Sequence, residues 1–158
     1  MSQREELLDM AVHALTPLMK GRPDASPDDL FDAAMEIGEK LIAKVDATVA
    51  SDAGAPPRDE LMDMGVHALS ALLNGRQPAS ADDVLDECMA VARSLIAKVD
   101  EALAQHGSAD REEMLDVAVH AQTAFLNSRP KMDADQLSDE CIRVAKRMIA
   151  RVDGKRAT

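Results

Sequence analysis

The sequence predicts an all-α protein made of three tandem helical hairpins, and three observations lead to this prediction. A unit that begins "REELLDMAVHAL" at Arg4 recurs at Arg58 and at Arg111, a period of 53–54 residues. Apolar residues inside each unit recur at intervals of three and four, which is typical of amphipathic helices. Hydrophobic residues make up 46% of the chain but aromatic residues only 1%, so the core must consist mostly of good helix formers.

Each unit divides into two helices joined by a connection of about six residues, which makes the pair antiparallel. The first helix carries the apolar stripe Leu8, Val12, Leu15 and Met19, which we expect to face the core. The second helix begins at a Ser-Pro-Asp-Asp cap, with Ser26 as the N-cap and Pro27 in the first turn. Its apolar stripe is Leu30, Ala34, Ile37, Leu41 and Val45.

The three units must pack on one another, because one hairpin of about 45 residues buries too little surface to fold alone. We therefore expect one domain over residues 1–158, with repeats at 1–54, 55–107 and 108–158. The units form either a short helical-repeat stack or a pseudo-threefold bundle, and both alternatives stay open. Leu41, Leu95 and Met148 share one inward position, and Cys88 and Cys141 are expected to be buried free thiols.

Recurring charged residues predict an ion pair that closes each hairpin. An arginine opens every first helix, and an aspartate ends every second helix. The two ends meet in an antiparallel hairpin, so we expect each arginine to pair with the aspartate of its own unit. The pairs would be Arg4 with Asp46, Arg58 with Asp100, and Arg111 with Asp153.

The motif Asp-x-x-x-His occurs at the same place in all three units. Residues four apart face each other on a helix, and His13 falls opposite the apolar stripe, beside Met10. Three interpretations stay open: a solvated pair, a contact surface for a neighbouring repeat or a partner, and a metal site where three imidazoles converge. The candidate surface is Asp9, Met10, His13, Asp63, Met64, His67, Asp116 and His120, and the candidate ligands are His13, His67 and His120.

Proline occupies a position in the first helix where the other two units have alanine. Pro17 has no N–H to donate to the carbonyl of His13, so we expect a kink in the helix there.

Charge is distributed unevenly along the chain. The formal net charge is −11, and residues 1–57, 58–110 and 111–158 carry −6, −6 and +1. The acidic total argues against general nucleic-acid binding, which needs a basic surface. On one flank of the last helix lie four basic residues, a candidate site for an anionic partner or for head-to-tail association with the acidic first unit: Arg143, Lys146, Arg147 and Arg151.

The motifs of common enzymes are missing from the sequence. It has no Gly-rich phosphate loop, no nucleophile constellation and no aromatic platform for stacking bases. No apolar run approaches the roughly 20 residues that span a bilayer, and no signal peptide is evident, so we expect a cytoplasmic protein without a membrane partner.

We therefore predict a non-enzymatic protein–protein interaction or scaffold module without a cofactor. Its partner would be another protein or a second copy of the chain. The alternative is a metal-binding protein with His13, His67 and His120 as ligands. A third possibility is a small-molecule site between the helices, lined by Met and Leu.

Overall fold

The computed structural model describes residues 2–75, 81–106, 110–128 and 132–156, and all regular structure in these ranges is helical. The prediction of an all-α fold with six helices is confirmed. The helices are α1 (Gln3–Gly21), α2 (Pro27–Ser51), α3 (Arg58–Gly75), α4 (Ala81–His106), α5 (Arg111–Ser128) and α6 (Ala134–Arg156).

The first two helices each begin at a capping serine. The hydroxyl of Ser26 accepts a hydrogen bond from the N–H of Asp29, and the Asp29 carboxylate accepts one from the N–H of Ser26, both at 3.3 Å. Pro27 follows at the first helical position, as predicted. Ser2 and Glu5 make the same reciprocal pair at the start of α1, a cap that was not predicted.

The helices form two rows that pack against each other. In one row α3 lies between α1 and α5, and in the other α4 lies between α2 and α6. Consecutive helices along the chain also pack together across the rows, from α1 on α2 to α5 on α6. Within the described residues α1 makes no contact with α5, and α2 makes none with α6. The contacts are therefore those of an open row and not of a closed ring.

The core is aliphatic and lies between the two rows. Leu41, Leu61 and Leu95 are among its fully buried side chains. Cys88 and Cys141 are buried free thiols, as predicted. Burial raises the pKa of Cys141 to about 12, so this thiol stays protonated and packs as a small hydrophobic side chain.

The predicted inward stripe of α1 is wrong for three of its four residues. Leu8, Val12 and Met19 are 55%, 53% and 39% exposed, and only Leu15 is half-buried. The side of α1 that is buried instead carries Met10, Ala11, Ala14 and Pro17. Periodicity identified an apolar stripe correctly, but no helix of the described chain lies over it.

The expected inward position of Met148 is also wrong. Leu41 and Leu95, its counterparts in the other two units, are 0% exposed, whereas Met148 is 54% exposed. Leu41 approaches the next unit, where its Cδ1 lies 3.5 Å from the place a Cβ on Gly65 would occupy. No described helix packs against Met148 in the way that α3 packs against Leu41.

Pro17 does not end α1, which continues to Gly21. The side chain of Pro17 is buried in the row of first helices. The carbonyl of His13, for which Pro17 has no N–H, accepts a hydrogen bond from the hydroxyl of Ser70 on α3 at 2.9 Å. A neighbouring helix thus supplies the donor that proline lacks.

Candidate interaction surfaces

An arginine on α3 joins the first unit to the second. The Arg58 guanidinium donates from Nη1 and Nη2 to the two carboxylate oxygens of Glu6, at 2.8 and 2.6 Å. Its Nε donates to Oδ1 of Asp46 at 2.5 Å. One side chain therefore holds both the beginning of α1 and the second half of α2, in the bidentate geometry that only arginine provides.

The same arrangement recurs between the second and third units. Arg111 donates to both oxygens of Glu60, at 2.5 and 2.6 Å, and from Nε to Oδ1 of Asp100 at 2.7 Å. The prediction that each arginine pairs with the aspartate of its own unit was wrong: the aspartate belongs to the preceding unit. The glutamate was missed, although Glu6, Glu60 and Glu113 recur at one repeat position and could have been found there.

These ion pairs change the titration of their members. Hydrogen bonds from Arg58 hold the pKa of Glu6 below its ordinary value, and the Coulomb attraction of the guanidinium acts in the same direction. The hydrogen bond to Glu6 in turn raises the pKa of Arg58. Glu6 is only 14% exposed, so burial favours its neutral form and offsets part of this effect.

The row of second helices has its own series of ion pairs between units. Lys44 on α2 donates to Asp86 on α4 at 2.6 Å. Lys98 and Asp139, at the same two repeat positions, pair between α4 and α6 at 3.1 Å. The hydrogen bond to Asp139 raises the pKa of Lys98.

A second series of polar contacts lies one helical turn away. Nζ of Lys40 lies 3.7 Å from Oδ1 of Asp82, between α2 and α4. At the corresponding positions of the next two units, the hydroxyl of Ser94 donates to Oδ1 of Asp135 at 2.7 Å. Polar contacts in the two unit–unit interfaces therefore follow one register.

One end of the molecule exposes an apolar surface, here called the head face, made of side chains on α1 and α2. Its residues are between 39% and 55% exposed: Leu8, Val12, Met19, Phe31 and Met35. At the same repeat positions of the second unit, all five side chains are 8% exposed or less: Met62, Val66, Leu73, Leu85 and Met89. The head face thus exposes apolar positions that are covered in the second unit.

The opposite end exposes the complementary surface, here called the tail face, on α5 and α6. Met148 and Val152 are 54% and 55% exposed, whereas Leu95 and Val99 at the same positions of the second unit are 0% exposed. Val117 and Ala121 are half-buried and Ala124 is exposed on the adjoining side of α5. Each end of the described chain therefore exposes one half of a unit–unit interface.

The predicted basic flank of α6 divides into two parts. Arg143 is paired with Glu140 on its own helix, and with Lys146 it lines a groove of about 260 Å³ between α4 and α6. Arg147 and Arg151 lie on the side of the tail face, at the repeat positions of Lys40 and Lys44. The counterparts Lys40 and Lys44 make ion pairs to the following unit. Lys146 in the first part stands at the position of Arg93, which pairs with Asp52 of the preceding unit.

The three Asp-x-x-x-His motifs form a ridge along the row of first helices, here called the histidine ridge. Nδ1 of His13, His67 and His120 donates to the backbone carbonyl of the aspartate four residues earlier, at 2.8, 2.7 and 2.7 Å. The aspartate carboxylates lie 3.5–3.6 Å from the same nitrogens. Because Nδ1 is occupied, Nε2 is the nitrogen left to meet a partner.

The imidazoles of the ridge stand in a line. Ring centroids are 6.4 Å apart between His13 and His67, and 6.3 Å apart between His67 and His120. The outer two rings belong to α1 and α5, which do not touch, so three imidazoles do not converge on one point. In the part of the chain that is described, no group of three or more His, Cys, Asp and Glu residues could hold a metal ion.

Two residues of the predicted contact surface are already used inside the molecule. Met10 and Met64 are each 3% exposed and belong to the core, so a separate partner cannot reach them. The other members stay accessible: Asp9, His13, Asp63, His67, Asp116 and His120. Of the predicted contact surface, the two methionines are therefore buried in the core, and only the Asp–His pairs lie on the outer side.

Grooves between the units are lined by charged residues together with small and apolar ones. One of them has a volume of about 650 Å³ and is lined by residues 54–57 together with Arg93, Asp100 and Arg111. Arg111 there is held by Asp100, and Arg93 by Asp52 at 2.5 Å. Its lining has no Met or Leu, which the small-molecule alternative expects. A groove of about 380 Å³ has Met10 and Met62 in its lining, together with charged residues.

Within the described ranges, no helix combines the length and apolar character needed to cross a membrane. No family model, no curated protein and no solved structure matches this chain.

Proposed function

We propose that the chain is a non-enzymatic helical-repeat protein that acts as a protein–protein interaction or scaffold module. One observation carries the proposal: apolar positions that are buried in the second unit are exposed on the head and tail faces. Single exposed apolar side chains are common, but five at the positions of an interface are typical of a binding surface. The partner expected here is a protein with an apolar helical face bordered by charges.

The proposed architecture is an open stack of three hairpin units and not a pseudo-threefold bundle. Two observations support it. Helices of the first and third units do not touch within the described residues, and both unit–unit interfaces use an arginine at the same repeat position. Stacked repeats need two packing faces per unit, and a stack ends with one of them unused.

The histidine ridge is proposed as a second contact surface beside the end faces. Its Nε2 atoms are free to hydrogen-bond with a partner, and its aspartates add negative charge. Replacing His13, His67 and His120 together by Gln should leave the fold intact and weaken association. This ridge is also where the metal-binding alternative would apply, and elemental analysis tests that alternative. Stoichiometric zinc that disappears in the triple variant would replace the contact role with a ligand role.

Site-specific photo-crosslinking tests the proposed function. A photo-reactive amino acid is placed at Val12 on the head face or at Val152 on the tail face, in cells that make the protein. Matched controls carry it at Lys20 and Ala150, which are exposed on the same two helices and whose counterparts in the second unit, Asn74 and Ala97, are exposed as well. We expect defined protein adducts from Val12 and Val152 and few from the controls. Equal labelling at all four positions would contradict an interaction role for the end faces.

A further inference from the structure

We propose that the head face binds the tail face of a second copy of this chain, in the register of the internal unit–unit interfaces. This inference rests on the proposed function and names the partner. The three units are variants of one sequence, and the two internal interfaces already join the tail side of one unit to the head side of the next. A second copy would continue the same packing between molecules.

The apolar residues of the tail face suit this contact. Between the first and second units, Met10, Ala14 and Leu41 on the tail side are buried. The third unit has Val117, Ala121 and Met148 at these positions, which are apolar and of similar or smaller size. A head face carrying Leu8, Val12 and Phe31 can therefore pack there without burying an unpaired polar group.

The pairing of one arginine with a glutamate and an aspartate of the preceding unit, as in Arg58 with Glu6 and Asp46, is here called the arginine clamp. It can also be completed between two copies. Arg4 stands at the repeat position of Arg58 and Arg111, and within the described residues it makes no ion pair. Its partners in the internal register are the counterparts of Glu6 and Asp46, which are Glu113 and Asp153 on the tail side. Both are exposed, and neither has an ion-pair partner among the described side chains.

The row of second helices offers two further pairs of the correct sign. Arg151 stands at the repeat position of Lys44 and Lys98. Its partner would be Asp32, which stands at the repeat position of Asp86 and Asp139. Arg147 stands where Lys40 does, and its partner would be Asp28, the counterpart of Asp82. None of these four residues makes an ion pair in the part of the chain that the structure describes.

All four intermolecular pairs are attractive, and one of them depends on a basic residue that the second unit lacks. The tail side of the third unit has arginine at position 147, where the second unit has Ser94. This places an added positive charge opposite the acidic first unit, which carries −6 against +1 for residues 111–158. Charge complementarity therefore favours a second copy over an unrelated acidic protein at the head face.

Such a contact is heterologous, because the two copies use different surfaces. Each dimer keeps one free head face and one free tail face, so further copies can add. Assemblies should therefore grow with concentration and not stop at a dimer. A two-fold dimer through head faces alone would bring Asp28 and Asp32 of both copies to the same interface, where like charges repel.

Sedimentation velocity on the purified full chain tests this inference. The net charge of −11 repels copies at low salt, so the measurement uses about 0.15 M salt, where the Debye length is about 8 Å. We expect the average mass to rise steadily above 17.0 kDa with concentration. Arg4→Glu should weaken association at least about tenfold, which is the loss of about 1.4 kcal/mol. The control Lys20→Glu, on the outer side of α1, changes charge equally and should have no effect.

Two further experiments decide between interfaces: reversing the charges of an ion pair, and mixing two variants that are each blocked at one face. Combining Arg4→Glu with Glu113→Arg and Asp153→Arg should restore association. Val12→Glu blocks the head face and Val152→Glu blocks the tail face, so each variant alone should be monomeric. Their equimolar mixture should form a dimer and nothing larger, because each variant keeps the face that the other lacks.

Three outcomes would overturn the inference. A purified chain that stays monomeric up to about millimolar concentration, where a Kd of 1 mM is about −4.1 kcal/mol, has no useful self-affinity. A dimer that does not grow with concentration would show a different interface. The same conclusion would follow if the mixture of Val12→Glu and Val152→Glu did not associate. If photo-crosslinking at Val12 captures another protein while the purified chain is monomeric, the proposed function stands and this inference fails.

Discussion

The apolar stripe of α1 and its counterpart on α3 have similar sequences and opposite environments. Leu8 and Val12 are about half exposed, whereas Met62 and Val66 are 5% and 2% exposed. Both stripes have the same helical spacing, so amphipathicity alone cannot account for the difference. What differs is the neighbour: α1 covers the stripe of α3, and no described helix covers the stripe of α1. In this row of helices, burial depends on position in the row.

The two internal interfaces also differ from each other. At two buried positions of the third unit, Gln122 and Ser138 stand where the second unit has Leu69 and Leu85. Among the described atoms, neither polar side chain has a hydrogen-bond partner. Burying a polar group without a partner costs free energy, so the interface with the third unit should be the weaker one.

The largest difference in the free energy of unfolding between a buried residue and its exposed counterpart is expected for Leu95 and Met148. Leu95→Ala should lower the free energy of unfolding by about 2–5 kcal/mol, because it leaves a cavity in the core. Met148→Ala should lower it by less than about 0.5 kcal/mol, because Met148 is 54% exposed. Urea denaturation followed by circular dichroism measures both. Equal losses would mean that Met148 is covered in solution.

An intermediate effect is expected at the interface with the third unit. Gln122→Leu restores the residue found in the other two units and should raise the free energy of unfolding by about 1–3 kcal/mol. The reciprocal change Leu69→Gln should lower it by at least as much, because it creates a buried amide. Thermal denaturation of the two variants checks the sign. If Gln122→Leu destabilises the protein, the Gln122 amide has a hydrogen-bond partner. The interface with the third unit is then not weakened by an unpaired amide.

The smallest effect concerns the arginine clamp. Arg58→Ala should cost about 1 kcal/mol, because Asp46 is half exposed and solvent weakens its pair. Arg4→Ala, the counterpart on the head face, should leave the stability of the monomer unchanged.

The clamp should also be sensitive to acid. The pKa of Glu6 is below its ordinary value of 4.5 in the folded protein, so its contribution is complete above that value and is lost as the pH falls. Between about pH 5 and pH 3, Glu6→Gln should therefore lose less stability than the unmodified chain. Denaturation curves at several pH values measure this difference. Identical pH dependence would contradict the ion pair.

Much of the secondary structure could be predicted from local signals. Ser26 and Pro27 mark the start of α2 because capping depends on a few adjacent residues. The Asp–His pairs were correctly placed on one side of a helix, since that follows from i,i+4 spacing. The arginine clamp was missed because Glu6 and Arg58 are 52 residues apart, and no local rule joins them.

The sequence by itself determined that the chain is helical, that it repeats, and that each first helix has an apolar stripe at the position of Leu8. These depend on spacing and capping within one helix, which short-range geometry controls. Only the tertiary structure decided which stripes are covered, that Asp46 binds the arginine of the next unit, and that the histidines stand in a line. The physical reason is that every unit carries two interface surfaces of similar composition, so burial depends on which surface has a neighbour.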